Sequence, residues 1–216
     1  MVNFLMNIFD VLIKGGWLMI PLLICSYFSV AIIIERIMFY ASFRKVHTSG
    51  IVRKLISLVE ENKIKQAVQV CEENPYYLTN IVKAGLLHYT EGKPVMQEAM
   101  DNASLYEIPR LERNLDFLST LAHISPLLGL LGTVVGLVKS FNAIEAKAAL
   151  AGVVSPSDVA GGIGEALITT VAGLCVGIIS YIAYNYFVHK VNMYILEAEK
   201  VSTELLEKKE KQLFEL

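Results

Sequence analysis

The sequence predicts an all-α integral membrane protein with three transmembrane helices and long helical extensions outside the membrane. Of its 216 residues, 54% are hydrophobic and only 19% are charged, which is too apolar for an ordinary soluble domain of this length. Three stretches lack Asp, Glu, Lys and Arg: 15–34, 117–138 and 166–188. At about 1.5 Å rise per residue, each can cross a hydrocarbon core of roughly 30 Å. Buried helices of a soluble bundle are the alternative, but such long apolar runs are rare outside lipid.

The distribution of basic residues predicts the orientation in the membrane. Of the 19 Lys and Arg residues, 11 lie between Arg36 and Arg113, and 5 follow Val188. Because cytoplasmic segments carry the excess of Lys and Arg, the middle of the chain and its tail are expected in the cytoplasm. The expected segments are a periplasmic amphipathic segment (1–14), transmembrane helix 1 (15–40), a cytoplasmic helical domain (41–116), transmembrane helix 2 (117–138), a periplasmic loop (139–158), transmembrane helix 3 (159–188) and a cytoplasmic helical tail (189–216).

The first segment and the first span carry simple patterns. Apolar residues at spacings of three and four before Lys14 are typical of a short amphipathic helix in the outer interface, with a frayed extension of the first span as the alternative. Gly15 and Gly16 are expected to turn the chain into the membrane. The first span runs from Trp17 to near Tyr40 and is otherwise featureless, which predicts a helix facing lipid.

The parts between and after the spans show helical periodicity. Charged and apolar residues alternate from 44 to 116, which predicts a small helical domain. From Val95 onward only Pro109 interrupts this pattern, so one continuous helix is expected to enter the second span. The tail has an apolar stripe at alternating spacings of three and four: Val191, Tyr194, Ala198, Val201 and Leu205. The third helix is therefore expected to continue beyond the membrane and to pack on neighbouring helices.

Small residues interrupt the second and third spans. Glycines at spacings of three and four let helix backbones approach closely, and this is how helices associate where lipid removes the hydrophobic driving force. The two spans are therefore expected to pack on each other or on copies of themselves. The glycines predicted to serve this packing are Gly129, Gly132, Gly136, Gly173 and Gly177.

Polar residues within the same two spans are candidates for an ion pathway. Glu165 lies about seven residues into the third predicted helix, where an ionisable side chain costs several kcal/mol unless it meets water, a partner or a proton. Thr169 shares the face of Glu165, whereas Thr170 is rotated by about 100° and lies nearer the middle. Thr133 occupies the equivalent depth of the second span, and Ser125 completes the set. A membrane threonine often bonds only the carbonyl four residues before it, but two of them on glycine-rich helices favour a functional role.

Other kinds of chemistry have little support in the sequence. His123 is interpreted as structural, with an ion-linked role as the alternative. The three cysteines lack CxxC spacing and are interpreted as apolar fillers, not as a disulfide or zinc framework. The chain offers no nucleophile with a base, no metal-ligand cluster and no phosphate loop, so neither an enzyme nor a cofactor is predicted. A net charge of −2 without a basic field argues against nucleic acid as a partner.

Two motifs carry a family resemblance. The second span contains SPLLGLLGTVVG over 125–136, and the third contains GEALITTVAGL over 164–174. In these motifs and in its topology the chain resembles the ExbB/TolQ/MotA proton-channel family. It is similar to ExbB and TolQ in layout, because flagellar MotA proteins have a fourth span and a larger cytoplasmic domain. The resemblance implies a homopentamer whose second and third helices line a pore around the single spans of an ExbD- or TolR-like dimer.

The resemblance also implies roles for individual residues. Thr133 and Thr170 match the family's two pore threonines, and Glu165 matches its third-span glutamate. The partner, not this chain, is expected to carry the membrane Asp that takes up the ion. Thr169 is an additional hydroxyl, which leaves sodium open as the transported ion.

The function that the resemblance implies is that of a motor or stator subunit in the bacterial inner membrane. Such a subunit uses the proton motive force to energise transport or an envelope process, and a TonB- or TolA-like protein is a further candidate partner. The alternative is a purely structural membrane scaffold, in which Glu165 is only an anchor between subunits. The process energised depends on the partner's periplasmic domain, which this sequence does not contain.

Overall fold

The structure, a computed structural model, describes residues 14–44, 48–149, 152–153 and 155–214. Over these residues the chain forms seven α-helices, one 3-10 turn and no strand, which confirms the all-α prediction. The elements are α1 (Met19–Arg44), α2 (Thr48–Glu60), α3 (Ile64–Glu73), α4 (Tyr77–Leu87), the 3-10 turn (Tyr89–Glu91), α5 (Lys93–Glu112), α6 (Leu115–Ala149) and α7 (Pro156–Phe214). The amphipathic helix predicted before Gly15 lies, except for Lys14, outside the described residues.

Within the described part of the chain, three helical stretches are long and apolar enough to cross a membrane, as predicted. Their apolar segments belong to α1, α6 and α7. The chain divides into two compact units. The membrane unit comprises residues 1–35 and 114–185, and the insert unit comprises residues 36–113 and 186–216. Helices α1 and α7 each contribute residues to both units.

In the membrane unit, α6 and α7 pack on each other as an antiparallel pair. A Cβ atom added at Gly136 would meet Gly162 and Ala166, whereas one added at Gly129 would meet Thr170 and Gly173, further along α7. Cβ atoms added at Gly132 and Gly177, two other glycines predicted to serve packing, would also meet the opposite helix. We call this line of contact the α6–α7 seam. The structure therefore places these glycines between two helices of one chain.

Gly173 shows how close the two backbones come at the seam. An added Cβ there would lie 2.5 Å from the carbonyl oxygen of Ser125 and 2.9 Å from the Cα of Gly129. Both atoms belong to the backbone of α6, so no side-chain rotation can make room. In lipid the attraction between helices comes from such close van der Waals contact, because lipid tails solvate apolar side chains as well as protein does.

Helix α1 is not featureless, and that part of the prediction is wrong. Ser29 is only 2% exposed, and its hydroxyl hydrogen-bonds the hydroxyl of Ser180 on α7 at 2.6 Å. A hydroxyl in apolar surroundings is costly without such a partner. Other buried residues on this side of α1 include Leu22 and Ile32, whereas Ile24 and Tyr27 are exposed. One side of α1 thus packs within the unit and another presents large apolar side chains outward.

The predicted continuous helix from Val95 into the second span is also wrong. Helix α5 ends at Glu112 and α6 begins at Leu115, because Asn114 adopts a φ of 63° in the left-handed region. Asparagine tolerates this conformation better than most residues, so it can stop a helix without disturbing the hydrophobic period. Its carbonyl oxygen accepts the first hydrogen bond of α6, from the Leu118 N–H at 3.1 Å.

The segment 139–158, predicted to be a periplasmic loop, is mostly helical. Helix α6 continues to Ala149, and α7 already begins at Pro156. The end of α6 contains several alanines, the residue with the highest helix propensity, which explains its extension. The side chains of Lys139 and Ser140 are consequently held at defined positions on a helix.

In the insert unit, the end of α1 caps the end of α5. The Arg36 guanidinium, only 1% exposed, donates to the carbonyl oxygens of Arg110 and Leu111 at 3.5 and 3.4 Å. The Tyr40 hydroxyl donates to the Leu111 carbonyl at 2.7 Å. Carbonyls in the last turn of a helix have no helical partner and carry partial negative charge, so a cation and a hydroxyl stabilise them.

The predicted continuation of the third helix is confirmed, since α7 runs without a break to Phe214. Most of the apolar stripe of the tail lies in the interior of the insert unit, where Val191, Ala198, Val201 and Leu205 are buried. Polar contacts flank it, including a 2.7 Å hydrogen bond from the Tyr77 hydroxyl to Glu197 and a 2.5 Å ion pair between Lys93 and Glu210. The tail therefore packs on the helices that precede the second span.

We predict that Gly173→Ala lowers the thermal stability of the purified protein. Adding the methyl group forces α6 and α7 apart, and overpacking of this kind costs about 1–3 kcal/mol. The matched control is Gly161→Ala on the same helix, where an added Cβ meets nothing within 4 Å. This control should be neutral or stabilising, because alanine favours a helix over glycine by about 1 kcal/mol. Circular dichroism melting curves in detergent give the melting temperatures of both variants. Equal melting temperatures would contradict the close approach of α6 and α7 at Gly173.

We also predict that Cys71 resists alkylation in the folded protein. Its side chain is buried, and burial raises the pKa of the thiol from 9.0 to about 11. Because the thiolate is the reactive form, this shift alone slows the reaction about a hundredfold at pH 8. In a Cys25→Ala, Cys175→Ala background, maleimide labelling should be slow until denaturant is added. Leu87→Cys in the same background is exposed in the same unit and should react at once, and equally fast labelling of Cys71 would refute the prediction.

Candidate functional site

The polar residues predicted within the spans lie on the α6–α7 seam of the membrane unit. Because the helices run antiparallel, residues that follow Thr133 on α6 meet residues that precede Thr170 on α7. Helical rise places Lys139 roughly 9 Å beyond Thr133 and Glu165 roughly 7.5 Å from Thr170 along their helices. The seam therefore carries two polar groups of residues, separated by somewhat more than one helical turn.

Thr133 and Thr170 form the first polar group. Their hydroxyl oxygens lie 2.5 Å apart, within hydrogen-bonding distance across the seam. The Thr170 hydroxyl also lies 3.1 Å from the carbonyl oxygen of Gly129 on α6 and 3.0 Å from that of Ala166 on its own helix. Both side chains are partly exposed. Each hydroxyl has one proton and two lone pairs, so the pair retains oxygen lone pairs for a further donor or a cation.

Ser125 and Thr169 have a different environment from the threonine pair. Both are fully buried, and each bonds a carbonyl of its own helix. Ser125 donates to Leu121 at 2.6 Å, and Thr169 lies 2.9 Å from the carbonyl oxygen of Ala166. Their hydroxyls are thus satisfied locally, which is the usual behaviour of such residues in membrane helices. The structure brings them into the seam but leaves them no accessible surface.

Glu165 and Lys139 form the second polar group. The Lys139 ammonium lies 2.5 Å from a carboxylate oxygen of Glu165, and the two side chains are 47% and 16% exposed. The turn before α1 also covers the carboxylate. Gly16 there has a φ of 69°, and an added Cβ would lie 2.6 Å from the Glu165 carboxyl carbon. The Glu165 carboxylate is therefore paired with a lysine of the same chain.

His123 is not brought together with these groups. It is exposed, and its Nδ1 lies 2.7 Å from the Ser119 carbonyl oxygen. Its ring is nearly perpendicular to that of Tyr181, with 6.2 Å between the ring centroids. It precedes Thr133 by ten residues, which is roughly 15 Å along an α-helix. Its contacts are those of a residue on the outside of the helix pair.

Sequence reasoning missed Lys139 and the Ser29–Ser180 hydrogen bond. The equal depth predicted for Thr133 and Thr170 was enough to infer that Lys139 lies beside Glu165. In an antiparallel pair with that register, a residue six positions after Thr133 and one five positions before Thr170 lie at similar depth. Lys139 was missed because the predicted second span ends at Val138, one residue before it. The serine pair had no comparable signal, since it depends on how α1 rotates against α7.

Comparison with known proteins identifies a matching family and several relatives. Residues 34–200 match the MotA/TolQ/ExbB proton channel family. The biopolymer transport protein ExbB-like 3 of Synechocystis sp. is 32% identical over 173 residues, which are 80% of this chain and 81% of the relative. The biopolymer transport protein exbB1 of Vibrio cholerae is 30% identical over 162 residues, 73% of this chain and 69% of the relative. The Tol-Pal system protein TolQ of Haemophilus influenzae is 43% identical over 95 residues, 44% of this chain and 40% of the relative.

The family match includes α6, the apolar part of α7 and every residue of the α6–α7 seam described above. It extends over more than half of the chain, from the end of the apolar part of α1 into the helical tail. The three membrane-spanning candidates fit an integral protein of the inner membrane. This chain belongs to the MotA/TolQ/ExbB proton channel family.

Proposed function

We propose that this chain is the ring-forming subunit of an ion-driven motor in the bacterial inner membrane. With an ExbD/TolR-like partner it uses the proton motive force to energise transport or an envelope process. The observation that carries the proposal is the pair of partly exposed threonines, Thr133 and Thr170, whose hydroxyl oxygens lie 2.5 Å apart between two apolar helices. Membership of a proton channel family supports the same reading.

The proposed assembly is a homopentamer in which α6 and α7 surround a central pore. The pore encloses the single transmembrane helices of a partner dimer, and a TonB- or TolA-like protein is a further proposed partner. In this orientation the N-terminus is periplasmic and the C-terminus cytoplasmic, as the distribution of Lys and Arg supports. Large apolar side chains exposed on both helices, such as Leu130, Val134, Val171 and Leu174, support burial against lipid or other subunits.

The partner is proposed to supply the carboxylate that takes up the ion. The stretches 15–34, 117–138 and 166–188 contain no Asp or Glu. Glu165 lies just before the last of these and is paired with Lys139. A dehydrated cation needs oxygen ligands, and a partner carboxyl group needs donors and acceptors as its charge changes. The hydroxyls of Thr133 and Thr170 can serve either purpose, because a hydroxyl both donates and accepts.

The energy for movement comes from the membrane potential and the ion gradient. One elementary charge that crosses 100 mV releases about 2.3 kcal/mol. Thr133 and Thr170 belong to different helices, so any ligand that separates their hydroxyls also acts on the α6–α7 contact. This is how we propose that ion passage is coupled to movement.

The structural scaffold is the second candidate function. It is favoured by Ser125 and Thr169, whose hydroxyls are buried and bonded within their own helices, as a purely packing role would require. Sodium as the transported ion is a variant of the first proposal and uses the same hydroxyl oxygens. The following experiment separates these alternatives.

We predict that Thr133→Val and Thr170→Val each lower ion uptake at least about tenfold while the ring still assembles. Valine keeps the volume but removes the hydroxyl and its hydrogen bonds. Uptake is measured in proteoliposomes that contain the partner, under proton and sodium gradients in turn, and assembly is checked by size. Thr120→Val is the matched control, because the Thr120 hydroxyl donates to the Asp116 carbonyl of its own helix at 2.9 Å.

Thr169→Val belongs in the same series. Because Thr169 is fully buried, we expect uptake to remain near the wild-type value, and a strong loss would place this residue in the pathway. If Thr133→Val and Thr170→Val both assemble and conduct like the wild type, the two threonines serve packing alone. The scaffold function is correct if the wild-type complex itself shows no ion uptake.

We further predict that native mass spectrometry in mild detergent detects pentamers of this chain that also bind the partner. The basis is the exposed apolar surface of α6 and α7, which is extensive for a helix pair that acts alone. Only monomers under these conditions would contradict the ring. Ion uptake by liposomes that contain this chain alone would contradict the need for a partner carboxylate.

A further inference from the structure

We propose that a cavity in the insert unit binds the phosphoethanolamine headgroup of a membrane lipid. The cavity has a volume of about 370 Å³, within the range of small-molecule pockets, roughly 300–1,000 Å³. It lies between the end of α1, the start of α4 and the end of α5, and its lining includes Phe43, Tyr76, Tyr77, Asn80, Glu107 and Arg110. These residues do not belong to the α6–α7 seam, so the inference goes beyond the proposed function.

The first support is a largely enclosed carboxylate in the cavity. The Glu107 side chain is only 13% exposed. Its Oε1 accepts hydrogen bonds from the Asn80 amide at 2.9 Å and from Arg110 Nη1 at 3.1 Å, whereas its Oε2 has a longer contact of 3.4 Å with the same Nη1. A carboxylate offers about four lone-pair sites, so Oε2 retains capacity for a further donor. A ligand ammonium group fits this position, because it supplies both N–H donors and the opposite charge.

The second support is the aromatic lining of the cavity. Aromatic rings attract organic cations to their faces, and the Phe39 ring, which also lines the cavity, already does so with the Arg36 guanidinium, whose carbon lies 4.6 Å from the ring centroid. Phe43, Tyr76 and Tyr77 supply three further rings. The centroid of Tyr77 lies 5.8 Å from that of Phe43 and 5.6 Å from that of Tyr76. The carbon atoms of an ethanolamine group would therefore meet apolar rings, with the carboxylate in the same cavity.

The third support is a guanidinium group at the edge of the cavity. The Arg110 side chain is 69% exposed, and it contacts Glu107 through Nη1. A guanidinium has five N–H donors in a planar fork, so Arg110 retains donors for a phosphate. Glu107 and Arg110 are three residues apart on α5, which places an anionic and a cationic group side by side. Phosphoethanolamine has the complementary pair, an ammonium and a phosphate, whereas a headgroup with the phosphate alone would leave the carboxylate unmatched.

The position of the cavity on α1 favours a lipid as the source of this group. Ile37 and Met38, which are 52% and 69% exposed, continue the apolar surface of α1 to the residue before Phe39. Large apolar side chains exposed on a membrane-spanning helix are solvated by lipid tails, so the headgroup layer is expected to begin near Met38. Phe39 and Phe43 follow at this level and one helical turn beyond it. A soluble phosphoethanolamine ester has the same polar group but no acyl chain for the neighbouring apolar surface.

Lipid titration of the purified full-length protein tests the inference. Native mass spectrometry in a neutral detergent measures the binding of short-chain phosphatidylethanolamine and phosphatidylglycerol, which share the phosphate and differ in the ammonium group. We expect phosphatidylethanolamine to bind at least about tenfold more tightly, because a charge-assisted hydrogen bond to Glu107 is added. Glu107→Gln keeps the shape but removes the charge, so it should bind the two lipids equally. Arg110→Met should weaken the binding of both at least about fivefold.

The matched controls remove the same charges outside the cavity. Glu98→Gln on α5 and Arg53→Met on α2 change exposed residues of the insert unit, and both lipid affinities should stay at the wild-type value. Circular dichroism melting curves check that each variant folds, and the lipid preference of the wild type is measured without any variant. Equal affinity of the wild type for the two lipids, or a preference that survives Glu107→Gln, would overturn the inference.

A competition experiment distinguishes a lipid from a soluble ligand. Glycerophosphoethanolamine has the same headgroup without acyl chains, and we expect it to compete at least about a hundredfold less well than phosphatidylethanolamine, because it buries no apolar chain. Equal competition would overturn the assignment to a lipid in favour of a soluble ester. Ion uptake is not measured in these experiments, so their failure would leave the proposed function unaffected.

Discussion

The close approach of α6 and α7 through their glycines is the contact on which the rest of the membrane unit depends. In lipid, two apolar helices gain little from meeting, so the attraction must come from backbone contact that only small residues allow. At Gly173 and Gly129 the two backbones are near enough for the hydroxyls of Thr133 and Thr170 to share a hydrogen bond. The same spacing lets Lys139 reach Glu165. The polar contacts across the α6–α7 seam therefore depend on its glycines.

Features that depend on local periodicity could be predicted from the sequence. The three apolar spans, the glycine faces and the similar depth of Thr133 and Thr170 all follow from counting residues along helices. The location of the glycine contacts within one chain could not be predicted, because two spans of one chain and two copies of one span offer the same kind of surface. The partner of Glu165 was missed for a related reason, since it required knowing that α6 continues past Val138.

Two kinds of feature could not be predicted from the sequence: those set by the backbone conformation of one residue, and those set by contacts between residues far apart in the chain. Asn114 interrupts a helix by its backbone conformation alone, and the side chains on either side keep the helical period. Arg36 marks the end of the first span in the sequence, but in the structure it is buried against carbonyls 74 and 75 residues away. A charged residue at the end of an apolar run usually suggests exposure to water. Here Arg36 also donates hydrogen bonds to the last carbonyls of α5. That helix end was not predicted, because one continuous helix was expected through this point.

The break at Asn114 has a mechanical consequence. Helix α7 is one uninterrupted helix of 59 residues, and α1 likewise has no interruption in its 26 residues. The chain between α5 and α6, in contrast, has a joint at Arg113 and Asn114, where a change of direction breaks no helical hydrogen bond. The backbone can therefore change direction between α5 and α6 without unwinding either helix, whereas a change of direction within α7 requires the loss of helical hydrogen bonds.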